Sequence, residues 1–555
     1  MPEQQLPVWA DPAVSPATLD AQGVSRRHLM RRAGLFGAAF ALGGAAAPAA
    51  AATGRGHGGE DPRLAYLVGD HHVHSVYSHD AKYTFSQQAR AAARYGLDWM
   101  VFNEHANFGH ASFGAALEHE EILKARAENP RQLIFQGLEW YIPAAEHCTV
   151  FAAPGPHEAD LLTKFELAYD GKLLGYTEGA AGAADTARNE AHAVKAITWL
   201  AEQRRTGYVD DVLVLANHPL RLGIDSPHEM RAWRDAAPEI MIGMEGAPGA
   251  QGAALPGWRG ATSIRGEYEN KPSAQSWAGY PADAYLTYGG FDWATATVGG
   301  LWDSMLAEGR LFSITTNSDN HRTVFDTWKN GDWPAGQNFD TTGRLPDPVN
   351  TDTPQPGSDF WPGQFSRTHV GVTRYGYRAV MTGLREGRVW LDHGHLLDGL
   401  EVRLRREHGG GRGVTLGGRL RVRKGEKLTL EITVTSASRP NPRGILPQLA
   451  HVDVIRGAVR GAVSDRDAWR APDTRVVRTT DVSGRTGTYT LRVPVTVGDE
   501  SFYVRLRGSD GNRNGTGYLG ASVDPHAPVP HEPGNGDPWA DTWFYSNPVF
   551  VDVVG

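Results

Sequence analysis

The sequence predicts an α/β protein in two parts: a closed barrel of β-strands and helices, followed by an all-β, sandwich-like domain. Three observations carry this. From residue 64 to about residue 398, short and nearly continuous apolar runs alternate with helical stretches. Those runs finish beside a histidine, aspartate or glutamate. From about residue 399 the pattern changes to short strands that alternate aliphatic and charged residues. Runs apolar on both faces belong to parallel sheets covered on both sides, whereas alternation marks antiparallel strands with one wet face. In a β/α barrel the strands' C-terminal ends converge on one mouth, where function is built.

At 555 residues, with 41% hydrophobic and 9% aromatic residues, the chain can bury more than one core. A net charge of -8 and a pI near 6.3 leave no broad basic field, so stable nucleic-acid binding is not expected. A single cysteine, Cys148, excludes an internal disulfide framework. It leads into the apolar Thr149-Val150-Phe151, so a buried packing thiol is expected rather than a nucleophile.

Near the start, Ser25-Arg26-Arg27-His28-Leu29-Met30 precedes an Ala/Gly-rich apolar run at 33–47 and small residues up to Ala52. This is the layout of a twin-arginine export signal. The run is short and weakly hydrophobic for a permanent span. Residues 1–52 are therefore expected to engage the twin-arginine export machinery and be cleaved. The mature form would begin near Thr53, carry no transmembrane helix, and act outside the cytoplasm, secreted or in the cell envelope.

A linker at 54–61 leads to the first run, 64–68, which passes into Asp70-His71-His72-Val73-His74. A helix at 86–95 follows, then a run at 97–102 ending in Asn103-Glu104-His105 and one at 133–138 ending at Glu139. His147 opens the run 148–151. After a helix at 191–203, the run 212–216 ends in Asn217-His218-Pro219, and 240–244 ends at Glu245. The run 311–316 ends in Asn317-Ser318-Asp319-Asn320-His321. A lone histidine at a strand end is usually structural. Imidazole and carboxylate recurring at the same end of successive strands is what a multinuclear metal centre needs.

The motifs His72-Val73-His74, Asn103-Glu104-His105, Gly137-Leu138-Glu139, His218-Pro219 and Ser318-Asp319-Asn320-His321 give the region 64–399 a resemblance to a known family. It resembles the PHP (polymerase and histidinol phosphatase) family of metal-dependent phosphoesterases, and within it the secreted CehA/McbA-like metallohydrolase type. The resemblance implies a distorted (β/α)7 barrel that holds two or three divalent ions. His72, His74, Asp319 and a bridging Glu139 correspond to one site, and Glu139, His147 and His218 to a second. His105 and His321 correspond to a third, with His79 at the usual position of the remaining ligand and Asp80 as the neighbour able to substitute. Asn103-Glu104-His105 stands where the family commonly has Thr-Asp-His, and His79 where many members have Asp. Zinc, manganese and iron all suit such mixed ligands.

The activity implied is exported hydrolysis of a small or headgroup-sized phosphate ester, monoester or diester, by a metal-bridging hydroxide. The same nucleophile attacks carbonyls, so hydrolysis of carboxylic or carbamate esters is an alternative. A non-catalytic metal- or cell-wall-binding protein is another. Arg221 and Arg322, close in sequence to His218 and His321, are candidate catalytic residues for gripping phosphoryl oxygens. Glu245 is a third candidate, with a supporting role as the competing reading.

Two insertions at the expected mouth, about 248–293 and 325–365, are rich in aromatics. They either wall in a substrate headgroup or give the loops a small core of their own. In the second part, 399–555, strands are expected at 401–405, 420–423, 427–434, 489–495, 502–507 and 549–553. Asp510-Gly511-Asn512-Arg513-Asn514-Gly515 fits a tight turn better than a calcium loop. Trp543-Phe544-Tyr545-Ser546-Asn547-Pro548 is expected to dock this part on the barrel, with binding of glycan or cell wall by the β domain as the alternative.

Overall fold

The computed structural model describes residues 64–554 apart from 82, 176–185, 250–271, 286, 322–332, 347–358, 409–410, 512–522, 525–526, 529–538 and 540–541. The expected export signal at 1–52, Arg322, residues 512–515 and large parts of both insertions lie outside the described residues.

The first part carries β1 (Ala65–Val73), β2 (Trp99–His105), β3 (Leu133–Tyr141), β4 (His147–Ala152), β5 (Val212–Ala216) and β6 (Met241–Ala247). A small hairpin of β7 (Thr287–Tyr288) and β8 (Phe291–Asp292) precedes β9 (Ser313–Thr316). Helices α1 (Phe85–Arg94), α2 (Ala115–Glu128), α3 (Glu158–Tyr169), α4 (Thr186–Arg205) and α5 (Pro227–Ala236) lie between strands. Capping boxes start two of them: Thr84 with Gln87 at α1, and Ser226 with Glu229 at α5, where Pro227 also sits in the first turn. Every residue of β2, β4, β5, β6 and β9 is buried, as their nearly unbroken apolar character requires. Cys148 is among them, packed in the same core as Trp99, Phe135 and Leu213.

Strands β1, β2 and β3 run parallel, and so do β5, β6 and β9. The expectation of parallel strands is corrected at β4, which lies antiparallel between β3 and β5. The cause is local. Only the turn 142–146 joins β3 to β4, and a parallel return would need a crossover of a dozen or more residues. The far end of this run of strands returns to its beginning. Val73 forms a parallel bridge to Asn320, and His74 N donates to Asn320 O at 3.0 Å. The segments that carry His72-Val73-His74 and Asp319-Asn320-His321 are thereby set side by side.

Beyond β9 come β10 (Ser366–Val372) and β11 (Val389–His393), with helix α6 (Tyr377–Arg385) between them; β10 pairs antiparallel with β1. The named elements after that are strands: β12 (Leu397–Arg406), β13 (Arg419–Arg423), β14 (Lys427–Ser436), β15 (His451–Ala458), β16 (Arg475–Asp481), β17 (Thr488–Thr496), β18 (Phe502–Ser509), β19 (Val523–Asp524), β20 (Ala527–Pro528), β21 (Trp543–Ser546) and β22 (Val549–Val554). The antiparallel sheet β12–β14–β17 shares a second core with β13, β15, β18 and β22, in the manner of a sandwich. Along β14, buried residues alternate with partly exposed ones.

The expected division at 398/399 falls inside β12. The aromatic stretch near the C-terminus is β21, hydrogen-bonded between β11 and β18. Both parts therefore share one large mixed sheet. Asp510 accepts bonds from Thr542 N at 2.9 Å and Thr542 Oγ1 at 3.0 Å.

Candidate metal centre

The centre forms where β1, β2, β3 and β4 end or begin beside the segments that follow β5 and β9. Asp70 ties its two signature segments together. One carboxylate oxygen accepts from His72 N and the other from Ser318 N, each at 3.0 Å. The backbone at His218 (φ 28°) and Asp319 (φ 46°) is left-handed, a conformation that non-glycine residues seldom adopt outside sites that over-determine it. Gly249 lies directly against this turn. A Cβ there would meet Ser318 O and the Asp319 Cβ at 2.5 Å.

His72 Nε2 lies 3.0 Å from His74 Nε2, 3.1 Å from Asp319 Oδ1 and 3.2 Å from Glu139 Oε1. Glu139 reaches further: His147 Nδ1 is 3.0 Å and His218 Nε2 3.2 Å from its Oε1, and His105 Nδ1 is 2.9 Å from its Oε2. His105 Nε2 faces His321 Nε2 at 3.2 Å and Asp80 Oδ2 at 3.4 Å. The structure thus gathers His72, His74, His105, Glu139, His147, His218, Asp319 and His321.

At the third corner Asp80 takes the place expected for His79. Its other oxygen lies 3.6 Å from His321 Nε2. The His79 side chain is 44% exposed, with Nε2 3.8 Å from Asp80.

Hydrogen-bond partners assign the imidazole tautomers. His72 Nδ1 donates to Glu245 Oε1 at 2.7 Å. Ser78 Oγ commits its proton to Glu104 at 2.6 Å, so it accepts from His74 Nδ1 at 2.9 Å. His321 Nδ1 donates to the Asp319 carbonyl at 2.9 Å. With Nδ1 protonated, each neutral ring turns an Nε2 lone pair inward: His72 and His74 toward each other, and His321 toward His105. Buried lone pairs at such distances repel unless a positive charge lies between them. Carboxylates orienting the far nitrogen are a habitual part of metal–histidine sites. The donor set is therefore suited to divalent ions, and the groups His72–His74–Glu139, His74–His105–His321, and His147 with Glu139 or Glu146 each offer clustered ligand atoms.

Without an ion, second protons on His72 and His105 meet part of that charge demand. Burial disfavours a charged His72, yet the Asp319, Glu139 and Glu245 carboxylates outweigh it and hold its pKa well above the ordinary value. Burial likewise opposes a charged His105, but Asp80 and Glu139 lift it to about 10. Burial, with His321 and His105 beside it, pushes His74 well below the usual range. For Asp319, burial raises the carboxyl to about 7 against the pull of His72 and His321.

Glu245 is fully buried behind His72, and its second oxygen accepts from His218 N at 2.6 Å. It holds the His72 imidazole and the His218 backbone, contacts that match the supporting role weighed against catalysis. Arg221 is 30% exposed and donates to Glu146 Oε2 at 3.2 Å. Glu146 was not singled out from the sequence. It is 3.6 Å from His218 Nδ1, and its position next to His147 was the available signal. Asp70 and Tyr141 were also missed, though each sits two residues from a ligand, on the same strand face. The Tyr141 hydroxyl is 3.2 Å from His105 Nδ1.

Among the described residues, no helix is long and apolar enough to cross a membrane. No family model matches the chain, and no curated protein does. Two solved structures are similar to it in part. One is a two-domain protein from Bacteroides vulgatus containing a predicted PHP-like metal-dependent phosphoesterase, 14% identical, covering 85% of this chain and 98% of its own, at a TM-score of 0.31. The other is a proposed metal-dependent phosphoesterase from Bifidobacterium adolescentis, 15% identical, covering 32% of this chain and 76% of its own, at a TM-score of 0.17. Likenesses this loose carry no argument about this chain, and its function rests on the geometry of the centre.

Proposed function

We propose that this chain is an exported, metal-dependent hydrolase of phosphate esters, of the secreted CehA/McbA-like type, built on a distorted (β/α)7 barrel. The observation that carries it is the pair of inward-facing imidazole contacts, His72 to His74 at 3.0 Å and His105 to His321 at 3.2 Å, ringed by Glu139, Asp319 and Asp80. The return of the chain after β9 to β1 supports the closed barrel.

His72, His74, Asp319 and Glu139 would hold one ion, Glu139, His147 and His218 a second, and His105, His321 and Asp80 a third. Divalent ions held there supply an acidified water as nucleophile and offset the charge that develops on a phosphoryl oxygen. Glu245 and the Glu104–Ser78 pair keep the histidines in the tautomer that leaves Nε2 available. Arg221, steered by Glu146, is suited to grip a non-bridging oxygen of the substrate at the mouth. Arg322, next to His321 in the sequence, is proposed for the same task.

The test uses the mature chain from residue 53. Its metal content is counted, and phosphomonoesters, phosphodiesters, carboxylic esters and carbamates are assayed beside His72→Ala and Asp319→Ala. Phosphate esters should turn over. Both variants should lose more than the roughly 10–100-fold that outer partners of metal ligands typically account for. Turnover of carbonyl esters alone would overturn the phosphoesterase reading, and metal without any ester turnover would overturn the hydrolase reading altogether.

A further inference from the structure

A second cluster of ligand-type side chains lies away from the metal centre, where α4 and α5 meet the 465–469 turn of the second part. Glu190 on α4 and His228 and Glu229 on α5 each offer a ligand atom, all within 4.8 Å of one another. His228 Nδ1 faces Asp467 Oδ1 at 2.5 Å, and its Nε2 faces Glu190 Oε1 at 3.1 Å. Ser226 Oγ is also 3.2 Å from Nε2, but its proton is directed to Glu229 Oε2 at 2.5 Å.

Three features point to a cation. Without an ion, the Glu190 and Asp467 carboxylates raise His228 to about 9. An ion that displaces the Nε2 proton leaves Asp467, which can only accept, holding Nδ1–H with the Nε2 lone pair turned toward Glu190. This is the carboxylate–histidine arrangement that commonly stands behind a bound metal. Glu229 is only 4% exposed, and its Oε1 has no hydrogen-bond partner, an expensive state for a buried carboxylate oxygen. Finally, Glu190, Glu229 and Asp467 are three carboxylates around one imidazole.

We propose that Glu190, His228 and Glu229 form a divalent-cation site distinct from the hydrolytic centre, with Asp467 orienting the imidazole. The ion would staple α4 and α5 to the 465–469 turn and so help hold the two parts of the chain together. An imidazole–carboxylate set of this kind suits zinc or a comparable borderline ion. The rival arrangement is an imidazolium bridging Glu190 and Asp467 without metal.

The experiment strips the full mature chain with EDTA, reloads it with Zn2+, dialyses it, and counts zinc per chain by mass spectrometry. The wild type is compared with the double variant Glu190→Gln/His228→Gln and with His72→Ala. The double variant should carry one zinc fewer than wild type, show a smaller zinc-induced rise in Tm, and keep its hydrolytic turnover. His72→Ala should lose ions independently, so failure at the hydrolytic centre is distinguishable from failure here. An unchanged zinc count in the double variant would establish the metal-free imidazolium bridge and overturn the proposal.

Discussion

The contact between Glu245 and His72 shows how much of the centre depends on residues that would touch neither ion nor substrate. Glu245 fixes the His72 proton on Nδ1 and also holds the His218 backbone. Glu245→Gln keeps the shape and removes the charge. It should lower turnover or metal affinity about 10–100-fold, with the circular dichroism spectrum unchanged. Loss of folded structure would instead make Glu245 a packing residue. The gathering of these histidines and carboxylates was legible because they recur at strand ends. Glu104 and Glu245 were legible in the same way, but the Ser75 and Ser78 hydroxyls bonded to Glu104 leave no pattern in a sequence. The exchange of Asp80 for His79 turns on which side chain points inward, and that depends on the 78–80 turn, not on residue type.

Among elements, the strands of the first part were legible wherever the chain is apolar on both faces, and the turn 142–146 made β4 the exception in direction. Less legible were β21 and its neighbourhood. Asn547, just past β21, accepts from Ile314 N at 2.9 Å and donates to Ile314 O at 3.0 Å. The end of the chain thus braces β9 a few residues before Asp319. Such a pairing joins residues 233 apart in the sequence and has no local signature. A buried ion pair reinforces the same seam: Arg505 on β18 donates to both oxygens of Asp303, at 2.8 and 2.7 Å, and both side chains are fully buried. Removing one partner strands a buried charge. Arg505→Met should therefore destabilise the protein by about 3–5 kcal/mol, read from urea unfolding. A shift below about 1 kcal/mol would mean that Asp303 is neutralised another way.

For the molecule as a whole, buried carboxyls set the response to pH. Burial, reinforced by the nearby Glu166, raises Asp170 to about 8, even though it accepts bonds from Leu173 N and Tyr141 N. A carboxyl raised in the folded state binds its proton more tightly there than in the unfolded chain. Its contribution is complete below the ordinary carboxylate range and is lost as pH rises through about 8. Between pH 6 and 9, the melting temperature of the wild type should fall more than that of Asp170→Asn. Parallel curves would show that Asp170 titrates normally. The sandwich core and the site-bearing sheet meet across β11 and β21, so this loss is expected as one cooperative transition.

The most direct test of a metal-dependent phosphoesterase is a titration of the EDTA-stripped mature chain with Mn2+ or Zn2+, following phosphate release from a phosphate ester. Release should be near zero without ion and climb to a plateau as ions are restored, with no such climb in Asp319→Ala. Release that persists after stripping, or that stays absent however much ion is returned, would contradict it.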